Sequence, residues 1–232
     1  MIIQIYAFTD AKTAVAAVEL GVDNIGFIAG RYGIVHGELS FSEAREIVVS
    51  LPQRATSIAI TMSEDIEEIL HMASEVKPDI VHISTDVDCV SVEMMRKLRS
   101  HLNADIRLMK AISVEDEKSI LLSQQFAAVS DLLLLDTKKA GFPGVGATGF
   151  THDWDISRRI VESVEIPVIM AGGLTAENVC DAIREIHPWG VDSNTSTNVP
   201  GSFVEKDLKR IAAFVDAIKK YEIADEGGVQ RA

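Results

Sequence analysis

Residues 166–179 read IPVIMAGGLTAENV. Val168, Ile169 and Met170 form an unbroken apolar run. Alternate side chains of an extended chain point to opposite sides, so such a run reads as a strand covered on both faces. Gly172 and Gly173 follow, and glycine lets a backbone approach an oxyanion closely at the start of a helix. Thr175 and Asn178 then place side-chain acceptors where the orphan amides of a helix N-terminus need partners. Strand, glycine turn and helix start make one βα unit.

The same unit recurs along the chain. Runs rich in β-branched and apolar residues lie at 2–6, 24–28, 56–61, 80–84, 106–111, 131–136, 166–171 and 189–193, with amphipathic stretches between them. Eight runs in 232 residues allow about 29 residues each, roughly what a strand, a helix and their turns require. Ser40 with Glu43, Thr61 with Glu64 and Ser113 with Asp116 mark further helix starts. Gly21 closes the helical stretch 11–20, and Pro52, Pro78 and Pro188 separate helical from extended runs. No G-x-G-x-x-G follows the first run, which argues against an open nucleotide-binding sheet. The expected fold is α/β, a single-domain (β/α)8 TIM barrel over residues 1–223. The tail 224–232, with Asp225, Glu226, Gly227 and Gly228, reads as flexible.

Composition narrows the function. The chain is 47% hydrophobic and 25% charged, and carries a net charge of −13. That charge repels phosphate backbones and anionic lipid, so neither nucleic acid nor a membrane is an expected partner. No apolar run approaches the ~20 residues of a bilayer span, and the N-terminus lacks the basic flank of a signal peptide. Cys89 and Cys180 form no disulfide framework, as expected of a reducing cytoplasm. The histidines show no metal spacing, and neither a cofactor nor a metal is expected. Monomer and homodimer both remain open.

In such a barrel the chemistry lies at the C-terminal ends of the strands. Asp136 ends the run Leu132-Leu133-Leu134-Leu135, where partial desolvation raises a carboxyl pKa and suits it to act as an acid. Gly172 and Gly173 follow the seventh run, and Asn194, Thr195, Ser196 and Thr197 follow the eighth; together they read as a phosphate cup. The segment 137–153, with Gly141, Gly144, Gly146 and Gly149, reads as a mobile loop at the catalytic rim. Gln4 and Tyr6 share one face of the first strand, as do His82 and Ser84 of the fourth. A lone strand histidine is more often structural than catalytic. Lys110 reads as a structural strand residue rather than a Schiff-base lysine, and Trp154 and Trp189 as packing residues.

The order and approximate spacing of several blocks resemble the phosphoribosylanthranilate isomerase family. These are Leu133-Leu134-Leu135-Asp136, Gly146-Ala147-Thr148-Gly149 with Asp153-Trp154, the block from Pro167 to Thr175 with Glu177-Asn178-Val179, Gly190-Val191-Asp192, and Pro200-Gly201. In the N-terminal half, Ala16 to Asp23 and Ile25-Gly26-Phe27 agree in pattern. The resemblance implies an Amadori rearrangement of an N-linked ribose phosphate, by ring opening and removal of the sugar C2 proton. It makes Asp136 the general acid on the ring oxygen.

The resemblance breaks at the other functional positions. The family cysteine that serves as base corresponds to Tyr6, in Gln4-Ile5-Tyr6-Ala7, and a phenol with a reference pKa of ~10 is a poor base at neutral pH. The family arginine aligns with Gly37, leaving Arg31 as the nearest cation and the candidate substrate contact, with Ser84. The family Gln-Leu-His reads His82-Ile83-Ser84, and the family glycine after the last strand reads Ser196.

Three functions compete. The first is an isomerase of a phosphorylated sugar, with Asp136 as acid and Asp10 or His82 as replacement base. The second is a lyase or aldolase for another phosphate ester on the same barrel, which lacks a convincing strand-end lysine. The third is a non-catalytic paralogue that binds a phosphorylated ligand, keeping the cup and tolerating any residue at the base position.

Overall fold

The computed structural model describes residues 1–137 and 153–229, with side chains as far as Ala224. The rim segment 138–152, with its four glycines, lies outside the described residues.

The chain alternates strand and helix throughout. It runs β1 (Ile2–Ile5), α1 (Ala11–Leu20), β2 (Asn24–Ala29), β3 (Glu38–Leu39), α2 (Phe41–Ser50), β4 (Thr56–Thr61), α3 (Ile66–Val76), β5 (Ile80–Ile83) and α4 (Val92–His101). It continues through β6 (Arg107–Ser113), α5 (Lys118–Ala127), β7 (Leu132–Asp136), α6 (Trp154–Ser163), β8 (Val168–Met170), α7 (Val179–Ile186), β9 (Gly190–Ser193) and α8 (Leu208–Val229). All strands pair in parallel, and β1 pairs with both β9 and β2, so the sheet closes into the expected (β/α)8 barrel. The last helix continues to Val229, beyond Ala224 where the sequence suggests a frayed end.

β3 is the element absent from the sequence reading. β1 pairs with β2 only at Asn24 and Ile25, which leaves the upper edge of β2 free. Glu38 and Leu39 fill that edge opposite Ile28 and Ala29. The Glu38 carboxylate accepts the backbone N–H groups of Gly33, Ile34 and Val35, which folds the preceding loop back upon itself. That loop carries His36 onto the ring of Phe203, stacked at 4.7 Å, and so ties the β2 loop to the segment before α8.

Local signals have mixed outcomes. Ser40 and Glu43 form a reciprocal capping box. Gly21 takes φ 111°, a left-handed conformation that ends α1. Thr61 and Ser113 are instead the last residues of β4 and β6: Asp65 caps α3, and α5 starts at Lys118 without a side-chain cap. Both hydroxyl residues still belong to strand ladders, and pairing outweighs their preference for a cap.

Strand alternation divides the core. Ile3, Ile5, Val81, Ile83, Leu133, Leu135 and Val191 face the helices. Ile58, Ile80, Met109, Leu132, Leu134 and Ile169 fill the barrel with Tyr6. By the same alternation Gln4, His82, Asp136 and Asp192 point inward, and all four are buried. Lys110 points outward, where its ammonium donates to the carbonyls of Thr85 and Ala111 and lies over the Phe126 ring, as its structural reading anticipates.

The Tyr6 ring needs a glycine beneath it. A Cβ built on Gly26 falls 2.0 Å from the Tyr6 ring carbons. Gly26→Ala should therefore lower the unfolding free energy by about 1–3 kcal/mol, the usual cost of overpacking. Denaturant unfolding should give a much smaller loss in a Tyr6→Cys background. An equal loss in both backgrounds would mean the ring is not what excludes a side chain there.

Candidate active site

Asp136 ends β7 at the C-terminal mouth of the barrel and is buried. Its Oδ1 accepts the Thr137 N–H at 2.6 Å and the Thr137 hydroxyl at 3.3 Å. Those bonds favour the charged form, but loss of water outweighs them, and burial pushes the carboxyl up to about 7.

A second carboxyl joins it. Asp192 on β9 stands in register with Gln4 of β1 and is also buried, with Oδ1 lacking a hydrogen-bond partner. Burial first, and then the charge of Asp136, push Asp192 up to about 8, against the opposing pull of Gln4 and Lys206. At neutral pH the two carboxyls therefore share between one and two protons, with Asp192 holding its own more tightly.

Tyr6 and His82 meet across the barrel. The phenol oxygen lies 2.8 Å from His82 Nδ1, with the rings tilted at 50°. Burial, and then the field of Asp192, raise the phenol well above its ordinary value. Burial, and then the positive charge of Lys110, push the imidazole down to about 3. Both groups are neutral across the physiological range.

The loops after β8 and β9 do converge. Ser193 and Ser196 both donate to the Leu174 carbonyl, at 3.0 and 2.8 Å, and their hydroxyls lie 2.6 Å apart. Gly172 and Gly173 take φ values of 86° and 64°, conformations that glycine tolerates best. Thr197 donates to the Asn194 carbonyl, and Asn194 Oδ1 accepts the Ala7 N–H. Thr195 stands exposed at the start of a 3-10 turn that ends at Thr197. Beneath this loop lies Lys206, whose ammonium donates to Asn194 Oδ1 at 3.0 Å, Thr197 Oγ1 at 3.2 Å and Asn198 Oδ1 at 2.6 Å. The side chains of Asn194, Ser196 and Thr197 are thus committed to holding the loop's shape.

Two candidates stand apart from this cluster. Asp10 is exposed and caps α1 by accepting the Thr13 N–H at 2.8 Å. Arg31 grips both carboxylate oxygens of Glu43, at 3.0 and 2.8 Å, with its side chain 65% exposed. Ser84 is buried just beyond β5. Sequence reasoning passed over Asp192, although it repeats the Asp136 signal of a carboxylate within an apolar strand. Lys206 gives no local signal, since it acts on a loop twelve positions earlier. Among the described residues, no cluster of three or more His, Cys, Asp or Glu side chains could hold a metal ion, and no helix is long and apolar enough to cross a membrane.

The family model of N-(5'phosphoribosyl)anthranilate (PRA) isomerase matches residues 3–217. The chain belongs to the phosphoribosylanthranilate isomerase family. It is 33% identical over 219 residues to N-(5'-phosphoribosyl)anthranilate isomerase 2 of Methanosarcina mazei, covering 94% of each chain. It is 31% identical over 217 residues to the corresponding isomerase of Haloferax volcanii, covering 94% of this chain and 92% of that one. The crystal structure of phosphoribosyl anthranilate isomerase from Thermotoga maritima superposes with a TM-score of 0.79 at 26% identity, over 95% of this chain and 100% of that one. Another family structure, solved with reduced 1-(o-carboxyphenylamino)-1-deoxyribulose 5-phosphate, gives 0.77 at 25%, with the same coverage. The isomerase class expected from the sequence therefore holds.

Burying Asp136 has a cost that depends on pH. The folded state keeps this proton up to about pH 7, whereas an unfolded aspartate releases it near ~4. The folded pKa is the higher, so the stability this one group contributes is fullest below about pH 4 and is lost as pH rises through 7. Asp136→Asn removes this dependence. Thermal unfolding should show a gain for the variant that is small at acid pH and largest above neutrality, worth a few kcal/mol. A gain that does not vary with pH would mean that Asp136 ionises normally.

Proposed function

We propose that the protein is an acid–base isomerase that converts phosphoribosylanthranilate to its amino-deoxy-ketose, with Asp136 and Asp192 as the proton-transferring pair. The observation that carries this reading is the presence of two buried carboxyls at the barrel mouth, both pushed up from the usual carboxylate range, to about 7 and about 8. Such a pair supplies an acid and a base at the same pH. Asp192 holds its proton more tightly than Asp136, so the reactive form is the less populated one, with the proton on Asp136 and Asp192 ionised. Asp136 donates to the ring oxygen, the C1–O bond opens as the nitrogen lone pair moves in, and Asp192 removes the C2 proton. The resulting enol then relaxes to the ketone. Tyr6 and His82 leave the base role to Asp192, because one holds its proton too tightly and the other too weakly. Asp10 is already spent on its helix.

The phosphate would sit between the Gly172-Gly173 turn and the 3-10 turn at Thr195–Thr197, bound chiefly by backbone amides. Lys206 would support it from below, shaping the loop; burial pulls its ammonium down to about 7, and an anion bound above it would favour the charged form. Inorganic phosphate titrated by NMR should shift these residues at millimolar concentration. Lys206→Met should weaken binding about tenfold or more; unchanged affinity would exclude Lys206 from the cup. Arg31, the candidate contact for the anthranilate carboxylate, is already paired with Glu43.

Turnover is followed by loss of anthranilate fluorescence. The profile of kcat/KM should be bell-shaped, with limbs near pH 7 and pH 8. Asp136→Asn and Asp192→Asn should each lower kcat by about 10²–10⁴-fold. Phosphate binding without any turnover would favour the non-catalytic paralogue instead.

A further inference from the structure

Tyr6 and His82 are a buried pair that this mechanism leaves without work. The Tyr6 phenol keeps its proton at any physiological pH, so that proton needs an acceptor. Among the described residues, the one hydrogen-bond partner of its oxygen is His82 Nδ1, at 2.8 Å. A neutral imidazole carries a single N–H. If Nδ1 held it, the phenol proton would have no acceptor. If Nδ1 accepts, the ring proton lies on Nε2.

That nitrogen is buried and has no partner, and the side chain points into the barrel from β5. Further buried polar atoms of inward-pointing side chains without a close partner among the described residues are Gln4 Nε2, a donor that faces the Asp192 carboxyl, Ser113 Oγ and Asp192 Oδ1. A dry interior leaves such groups unsatisfied only at a stability cost, unless a ligand completes them. Two N–H donors and a carboxyl oxygen suit the adjacent hydroxyl and carbonyl oxygens of an open-chain sugar.

From this geometry we infer that Tyr6 locks His82 in the tautomer with its proton on Nε2, and that His82 gives this neutral N–H to a sugar oxygen of the substrate. The tautomer follows from the free protein alone, while the sugar ligand rests on the function proposed above. Lys110 on the outer face of β6 disfavours a cation at His82, and Asp192 disfavours a phenolate at Tyr6. The donor therefore stays neutral while the carboxyl pair titrates.

The lock is measured without ligand, from ¹⁵N chemical shifts of histidine-labelled protein between pH 5 and pH 8.5. A pyrrole-type Nε2 and a pyridine-type Nδ1 at His82, constant across that range, is the expected result. Tyr6→Phe should turn the signal into a mixture of tautomers. A protonated Nδ1 or a cation in wild type would overturn the inference, as would an unchanged tautomer in Tyr6→Phe.

The donor role is read from binding of the reduced deoxyribulose phosphate analogue held by the family structure. His82→Leu should weaken it about tenfold and His82→Gln, which keeps an N–H, by much less, with inorganic phosphate bound equally by all three proteins. Equal analogue affinity in wild type and His82→Leu would overturn the donor role. Failure of wild type to bind either phosphate or the analogue would instead sink the proposed function and the sugar-oxygen role with it, while the shifts still decide the lock.

Discussion

A closed parallel barrel has a dry interior, and any polar group on an inward strand position gives up its water whether or not it finds a partner. In this chain that constraint acts on four side chains at once: Gln4, His82, Asp136 and Asp192. The two acids respond by holding protons they would otherwise lose, and the imidazole by refusing one. Their chemical character is set by position, since each would titrate differently on the helices outside. Lys110, buried on the opposite face of its strand, feels the same loss of water: burial pulls its ammonium down to about 7, although backbone carbonyls and an aromatic ring meet it.

The second constraint is mechanical. An anion site made of backbone amides is useful only if the loops that carry them keep their shape. Here the two loops are joined through the Leu174 carbonyl, which Ser193 and Ser196 share, and the second is fixed from beneath by Lys206. Ser196 takes part in this joint and adds a tether between the loops.

What could be read from residue order was whatever depends on local pattern. Strand periodicity and turn residues located all eight barrel strands to within a residue or two, because a strand covered on both faces announces itself as a continuous apolar run. Asp136 was legible for the same reason, as the one polar residue closing such a run. The β3 strand was not, since it forms through the Glu38 carboxylate gathering amides of its own loop and through an edge of β2 that β1 happens to leave open. Nor were the partners of the site. The Tyr6–His82 bond joins residues 76 positions apart, and the effect of Asp136 on Asp192 depends on barrel closure. The pairing of Arg31 with the neighbouring Glu43 was equally out of reach of a local reading.

Tyr6 is best understood against this background. Taken alone, a phenol in place of a cysteine removes a base, and the chain looks like a damaged copy of its family. Within the barrel, however, the larger ring does two things a thiol cannot: it lies against the bare backbone of Gly26, and it extends an O–H far enough to reach His82. The first demands a glycine on the neighbouring strand and the second a histidine across the barrel, and the chain has both. Three positions on three strands meet around a single side chain. A ring that fits over Gly26 and bonds to His82 gives the mouth of the barrel a defined set of hydrogen-bonding groups. Proton transfer can then rest with the carboxyl pair, while the strand-one position helps to orient what is bound.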